Sequence, residues 1–453
     1  MIQVGMSFGI VFTPSLLYFY TPLSLILLNS ITSMKKTLLF ISAVMFAMMA
    51  NAADKVTITV KNSLQSARAG EMVEVPFDQV QKKLGGAAQV VVTDADGKEI
   101  PSQVTYDGKL IFQVGVGAKG KSVYYAQAGT PQKYEAKVHG RQFPERKDDM
   151  AWENDLVAFR CYGPALQRSG ERAWGNDVWN KRTSKLILEE RFALELDADI
   201  AQASRKLRKM GKNELAEDLY YAVSYHVDHG NGMDCYKVGP TLGCGTAALL
   251  TNGGKDIAYP HCYTSYEIHD RGPLRFTVRL AYAKEKIEDQ NVTEVRIISL
   301  DAGSHMTKAI VAYEGLNAAM PVATGIIVHN ENPTAYVLNA QNGYMGYEDL
   351  GDPNQYKERF RAKLNKEFGK IYCGAVYPQK VNEIKYQEGE NLPGACGHIL
   401  GVSTYNPGTA YTYYFGSAWS RNPETSFNSL TDWEAYLSAF AQKVKAPLKV
   451  SVK

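Results

Sequence analysis

The densest set of residues able to move protons lies at positions 225–245, which read YHVDHGNGMDCYKVGPTLGCG. Tyr225, His226, Asp228, His229, Asp234, Tyr236 and Lys237 fall within 13 residues. An imidazole titrates near neutrality and can take or give a proton, and a nearby carboxylate can orient it. Five glycines between Gly230 and Gly245 mark a loop, and loops carried on a rigid sheet are where binding and catalytic groups concentrate. The plainer alternative is a polar loop whose Asp and Asn side chains only cap their own backbone. His226, Asp228 and His229 also make a two-histidine, one-carboxylate set of the kind that binds metals. On an extended chain, however, His226 and Asp228 share one face and His229 takes the other. A turn would be needed to close them on an ion, and the expectation is that no metal or other cofactor is held.

A second cluster runs through PERKDDMAWEND at 144–155 and FRCYGPA at 159–165. Arg146 and Arg160 offer guanidinium forks for a carboxylate or sulfate, and Trp152 and Tyr162 offer stacking surfaces for a sugar ring. WGNDVWNKRT at 174–183 continues the aromatic and basic character with Trp174, Trp179, Lys181 and Arg182. Here the plainer alternative is a surface Arg–Asp pair beside a core tryptophan.

The elements that must carry these groups read as mainly β. Residues 54–135 contain short strands separated by turn signals such as Asp96-Gly97 and Asp107-Gly108, as expected for a small immunoglobulin-like β-sandwich over 53–135. A charged link at 133–147 leads to a large antiparallel β-sandwich over 136–453, of the mutarotase-like supersandwich kind. Within it, 156–162 alternates so that Val157, Phe159 and Cys161 share one face while Ala158, Arg160 and Tyr162 share the other. Two stretches read as helical. One is 198–219, interrupted by Gly211, and the other is 432–445 behind a Thr431/Asp432 cap.

Composition narrows the partners. Fifty basic against 47 acidic residues give +3, and Lys35 and Lys36 are the only charges before Asp54, so the rest of the chain is nearly neutral. Such a balance argues against a nucleic-acid platform, and any acidic ligand must be recognised locally. Lys35-Lys36, an apolar run and the end Ala50-Asn51-Ala52 read as a signal peptide over 34–52, with 1–33 as an upstream segment. The first cysteine is Cys161, so no lipid-bearing N-terminal cysteine is expected after cleavage. The mature protein is expected in the periplasm or secreted, and not embedded in a membrane. The six cysteines are too sparse for a disulfide scaffold and read mostly as buried thiols. No G-x-S-x-G, P-loop, G-x-G-x-x-G or H-E-x-x-H motif is present.

The blocks PERKDD…AWEND, AFRCYGPA at 158–165, DVW at 177–179 and YHVDHG…GMDCYKVGPTLGCG resemble a family of exported Bacteroidota proteins known as a domain of unknown function. Its members accompany polysaccharide-degrading systems, and some are assigned as oligosaccharide dehydratases acting on terminal uronic acids. The resemblance implies an acidic oligosaccharide as substrate. Eliminating water across C4–C5 of a uronic acid needs a cation on the carboxylate, a base for the C5 proton and an acid for the departing hydroxyl. On that chemistry Arg160 or Arg146 binds the carboxylate, His226 or His229 is the base, and Tyr162 or Tyr225 is the acid. Asp228 or Asp234 then orients a histidine, and Trp152, Glu153, Trp179, Tyr236 and Lys237 line the substrate. Two alternatives stay open. One is a glycoside hydrolase using a carboxylate pair such as Glu153 and Asp234. The other is a non-catalytic oligosaccharide-binding protein relying on Trp152, Trp174 and Trp179.

Overall fold

The computed structural model describes residues 55–351 and 368–453. The expected signal peptide and upstream segment lie outside these residues. Antiparallel strands dominate, because β-branched and aromatic residues alternate with polar ones over most of the chain. In Gln290–Asp301, for example, Val292, Glu294, Arg296, Ile298 and Leu300 are buried on one face, with Arg296 ion-paired to Glu294.

Five sheets result. A five-stranded sheet and a three-stranded sheet close over Ile58, Val60, Val75, Leu110, Phe112 and Ala126. The five-stranded sheet is not built from the N-terminal region alone. Val56–Lys61 pairs with Lys121–Ala128 on one side and with Lys449–Val452 on the other, with Ile58 opposite Val452 and Val60 opposite Val450. Residues 449–452, read from the sequence with the large sandwich, thus complete the small one.

An eight-stranded sheet and a second five-stranded sheet make the larger body. A fifth sheet, ordered Gly232–Met233, Asp177–Lys181, Ala158–Cys161, Asp149–Asn154 and Val138–Phe143, shares their apolar core. Helices are few, as expected, but more than two. The stretch 198–219 is a helical hairpin, Ala198–Lys209 and Asn213–Tyr221, because Gly211 adopts φ +73° and turns the chain. Phe77–Lys83, Pro164–Arg168 and Leu188–Glu195 add short helices that the strand rhythm concealed. The C-terminal helix Leu430–Lys445 starts two residues earlier than the 432 read from the sequence. Ser429 is the N-cap and Asp432 completes the capping box. This helix lies close on the eight-stranded sheet because a Cβ at Gly374 would stand 2.7 Å from Leu437.

Removing residues 449–453 should expose the edge of Val56–Lys61 and uncover Val450 and Val452. We expect a loss on the order of 2–4 kcal/mol, read as a lower denaturation midpoint with the larger body still folded. Unchanged denaturation of the truncated chain would contradict the pairing.

Candidate active site

The site grows from one cross-strand pair. Arg160 and Asp177 stand directly opposite each other on Ala158–Cys161 and Asp177–Lys181, so their side chains meet. Arg160 Nε and Nη2 donate to Asp177 Oδ2 at 2.9 and 2.5 Å, and Nη2 also donates to Asp234 Oδ2 at 2.7 Å. Tyr162 donates its hydroxyl to Asp177 Oδ2 at 2.6 Å. Asp149 Oδ2 lies 3.6 Å from Arg160 Nη1 and 3.9 Å from Arg146 Nη1. Arg160 is 3% exposed, and the three carboxylates are buried with it. Two guanidinium groups face three carboxylates, so full ionisation would leave an uncompensated buried charge. Asp149 relieves it. Burial pushes its carboxyl up to about 7, although Arg160 and Arg146 pull the other way. Neither Asp149 oxygen, nor Arg160 Nη1, nor Arg146 Nη1 has a hydrogen-bond partner among the described residues.

The outer edge of this cluster is the one that can meet a ligand. Arg146 donates Nε–H to the Tyr225 hydroxyl at 2.9 Å, and its side chain is 17% exposed. Tyr225 packs at a tilt against Trp179, with ring centroids 4.8 Å apart, and lies beside the His226 ring at 4.6 Å. Since the Tyr225 oxygen accepts from Arg146, its own proton is available to be donated. Burial raises its pKa, so it holds that proton at neutral pH. His226 Nδ1 faces the carbonyl oxygen of Asp234 at 2.9 Å. A carbonyl only accepts, so Nδ1 carries the hydrogen and Nε2 the lone pair of the neutral ring. One third of the His226 side chain is exposed.

Local structure holds these groups in place. Lys147 and Asp148 both adopt left-handed backbone, at φ 54° and 64°, immediately before Asp149. Two consecutive non-glycine residues in that region cost energy that their surroundings must offset. The Asp148 carboxylate accepts from Ala165 N and Gln142 Nε2, and its carbonyl accepts from the Tyr263 hydroxyl. Gly163 is required beside it, because a Cβ there would stand 1.9 Å from the Asp148 oxygen. The histidine loop is held by Arg191, a buried residue of Leu188–Glu195. It donates to the carbonyls of Tyr225 (2.5 Å) and Gly232 (2.6 Å) and to the Asn231 side chain.

The structure therefore brings together Arg146, Arg160, Tyr162, Tyr225, His226 and Asp234, and sets Trp179 behind them. Other candidates are employed elsewhere. The Asp228 carboxylate accepts from Gly230 N and Gly232 N and pairs with Arg182, so it closes its own loop. His229 donates Nε2–H to the Ser224 carbonyl. His226, Asp228 and His229 thus do not converge, and the described residues contain no group of three His, Cys, Asp or Glu side chains placed to share an ion. Glu153 accepts from Lys181 Nζ at 2.7 Å and from Ile187 N and Leu188 N, which start a helix. Its full burial overturns a role against substrate. Trp152 is likewise fully buried, against Phe159 and Phe415, and offers no ring to a sugar. Tyr236 and Lys237 belong to a neighbouring buried pair. His329 Nδ1 meets Asp349 at 3.0 Å, its Nε2 meets the Lys237 carbonyl, and Tyr236 lies edge-on to its ring. All six cysteines are free thiols, four of them buried. Asp149, Asp177 and Arg191 were not singled out from the sequence. Asp177 sits in the DVW block opposite Arg160, and strand register alone could have found it.

Residues 60–450 match the model of the family described as "Domain of unknown function (DUF4861)". The chain belongs to this family. The uncharacterized protein P7 of Formosa agariphila is 26% identical over 413 residues, covering 87% of this chain and 93% of that protein. Among solved structures, an alpha-mannosidase from Enterococcus faecalis V583 aligns over 88% of this chain and 46% of its own, at 9% identity and TM-score 0.42. A protein in glycosyl hydrolase family 38 from Enterococcus faecalis gives 10% identity and TM-score 0.43, over 88% of this chain and 47% of its own. The chain spans less than half the length of either, and at these values the likeness says nothing about chemistry.

Two stability predictions follow from the buried charges. Arg160→Ala strands three carboxylates and should cost about 3–5 kcal/mol in chemical denaturation. Asp149 carries a folded pKa above its unfolded one, so its contribution is present at low pH and is lost as pH rises from about 4 to about 7. Asp149→Asn should remove that loss and exceed the parent at pH 8 by on the order of 1–3 kcal/mol. Equal midpoints at pH 5 and pH 8 in the parent would refute it.

Proposed function

We propose that the protein is an exported carbohydrate-active enzyme that removes water from the terminal uronic acid residue of an oligosaccharide. The observation that carries this reading is the contact of buried Tyr225 with Arg146 and His226, whose side chains are partly exposed at the edge of the Arg160 cluster. They are a cation, a proton-holding hydroxyl and an imidazole whose Nε2 bears the lone pair. In the proposed reaction Arg146 neutralises the sugar carboxylate, which makes the C5 proton more acidic. His226 Nε2 takes that proton, the C5–H electron pair becomes the C4=C5 bond, and the C4–O bond breaks. Tyr225 protonates the departing hydroxyl to give water, and the proton on His226 returns to Tyr225 through solvent. Asp234 positions His226 through its carbonyl, and its carboxylate lies 3.8 Å from Nδ1. Arg160 holds the cluster rather than the substrate.

The burial of Glu153 under Lys181 favours this reading over a carboxylate-pair hydrolase, and the burial of Trp152 favours it over a binding module built on that ring. Incubation with uronic-acid oligosaccharides should give products lighter by one water, with new ultraviolet absorbance and no chain cleavage. His226→Ala should slow this by about 10²–10⁴-fold. Tyr225→Phe, which keeps the ring on Trp179, should slow it comparably with substrate binding retained. Full-rate formation of the chromophore by His226→Ala would overturn the assignment, and new reducing ends would replace it with hydrolysis.

A further inference from the structure

A second cleft lies away from these residues, where the small sandwich meets the outer face of the eight-stranded sheet and the C-terminal helix. Its volume is about 460 Å³, within the range of small-molecule sites. Its floor is a row across the sheet. Ser299 stands opposite Lys308, and Lys308 opposite Tyr414, so all three project from one face. The wall is helical, formed by Tyr436, Phe440 and Lys443, with Phe440 edge-on to Tyr414 at 5.2 Å. Strand Arg68–Pro76 closes the other side.

The charges of this cleft are not evenly matched. Glu74 and Asp301 are both engaged by Arg275, at 2.6 Å each, and Glu71 is engaged by Arg68. Each carboxylate of the lining thus has a guanidinium partner, but Arg275 serves two of them, so one negative charge is left over against the two lysines. The ammonium groups of Lys308 and Lys443 have no ion pair or hydrogen bond among the described residues, nor has the Tyr414 hydroxyl. Three donors from three elements therefore line one concavity beside an aromatic edge. That combination suits a ring with an apolar face, several hydroxyls and one negative group.

We infer that this cleft is a second saccharide-binding site, taking an acidic sugar unit of the polymer with Lys308 and Lys443 on its charge and Tyr414 on a hydroxyl. The choice of a sugar rests on the function proposed above, whereas the demand for an anion rests on the lysines alone. Such a site would hold a long chain near the enzyme and contribute nothing to turnover of a short one.

The test separates the two readings. His226→Ala protein is run in native gels containing polygalacturonate or, as a neutral control, dextran. Polygalacturonate should retard it and dextran should not, and adding Lys308→Ala with Lys443→Ala should weaken retardation about tenfold. In an otherwise unaltered protein the two lysine substitutions should leave turnover of a uronate trisaccharide unchanged. Retardation that survives both substitutions overturns the inference, and so does equal loss of trisaccharide turnover. Tyr414→Phe removes only a hydroxyl, and should weaken retardation at an unchanged melting temperature. It serves if the lysine variant does not fold, and undiminished retardation by it then counts against the site. Lysine-dependent retardation in a protein that releases no water would leave this site standing and remove the dehydratase reading.

Discussion

One buried guanidinium organises the candidate site. Removing Arg160 from water is costly, and the cost is offset only because Asp177, Asp234 and Asp149 surround it. Those partners come from separate pieces of chain: the two strands that flank the strand of Arg160, and the segment that follows the histidine loop. Their attraction fixes where each piece ends. It also creates the opposite difficulty, an excess of carboxylate, which burial resolves by favouring the acid form of Asp149. The same arrangement therefore provides rigidity and a titrating group at once.

Around that centre, side chains that resemble catalytic residues mostly hold backbone. Glu153 with Lys181 starts a helix, Arg191 of that helix grips the histidine loop, and Asp228 closes the loop on itself. The result is a layered support in which few groups reach the exterior. Arg146 and His226 do, and each has its orientation fixed by a neighbour, Tyr225 or the Asp234 carbonyl. Preorganised groups of this kind need little rearrangement when charge develops beside them.

Much of the β architecture was legible because alternation of apolar and polar residues is a local signal. Ala158–Cys161, for example, lies within the stretch 156–162 whose alternation marked a strand. The helices over 77–83 and 188–195 were not legible, since they are short and their starts depend on tertiary contacts such as Glu153. The two motif blocks were rightly joined, because Arg160, Tyr162, Tyr225, His226 and Asp234 meet. Which members face outward was hidden. Trp152 and Glu153 have the composition of a sugar site, and only burial distinguishes them from one. Asp149 was hidden for a related reason: its chemistry comes from two left-handed residues and two guanidinium groups that spacing cannot reveal.

The pairing of Val56–Lys61 with Lys449–Val452 has a kinetic meaning. The five-stranded sheet of the small sandwich is complete only once these two segments, far apart in sequence, have met. Bringing such distant segments together is slow, and until then Val56–Lys61 presents an unpaired edge. Closure of the small sandwich therefore depends on a contact between segments far apart in sequence, which places a premium on protecting that edge until the contact forms.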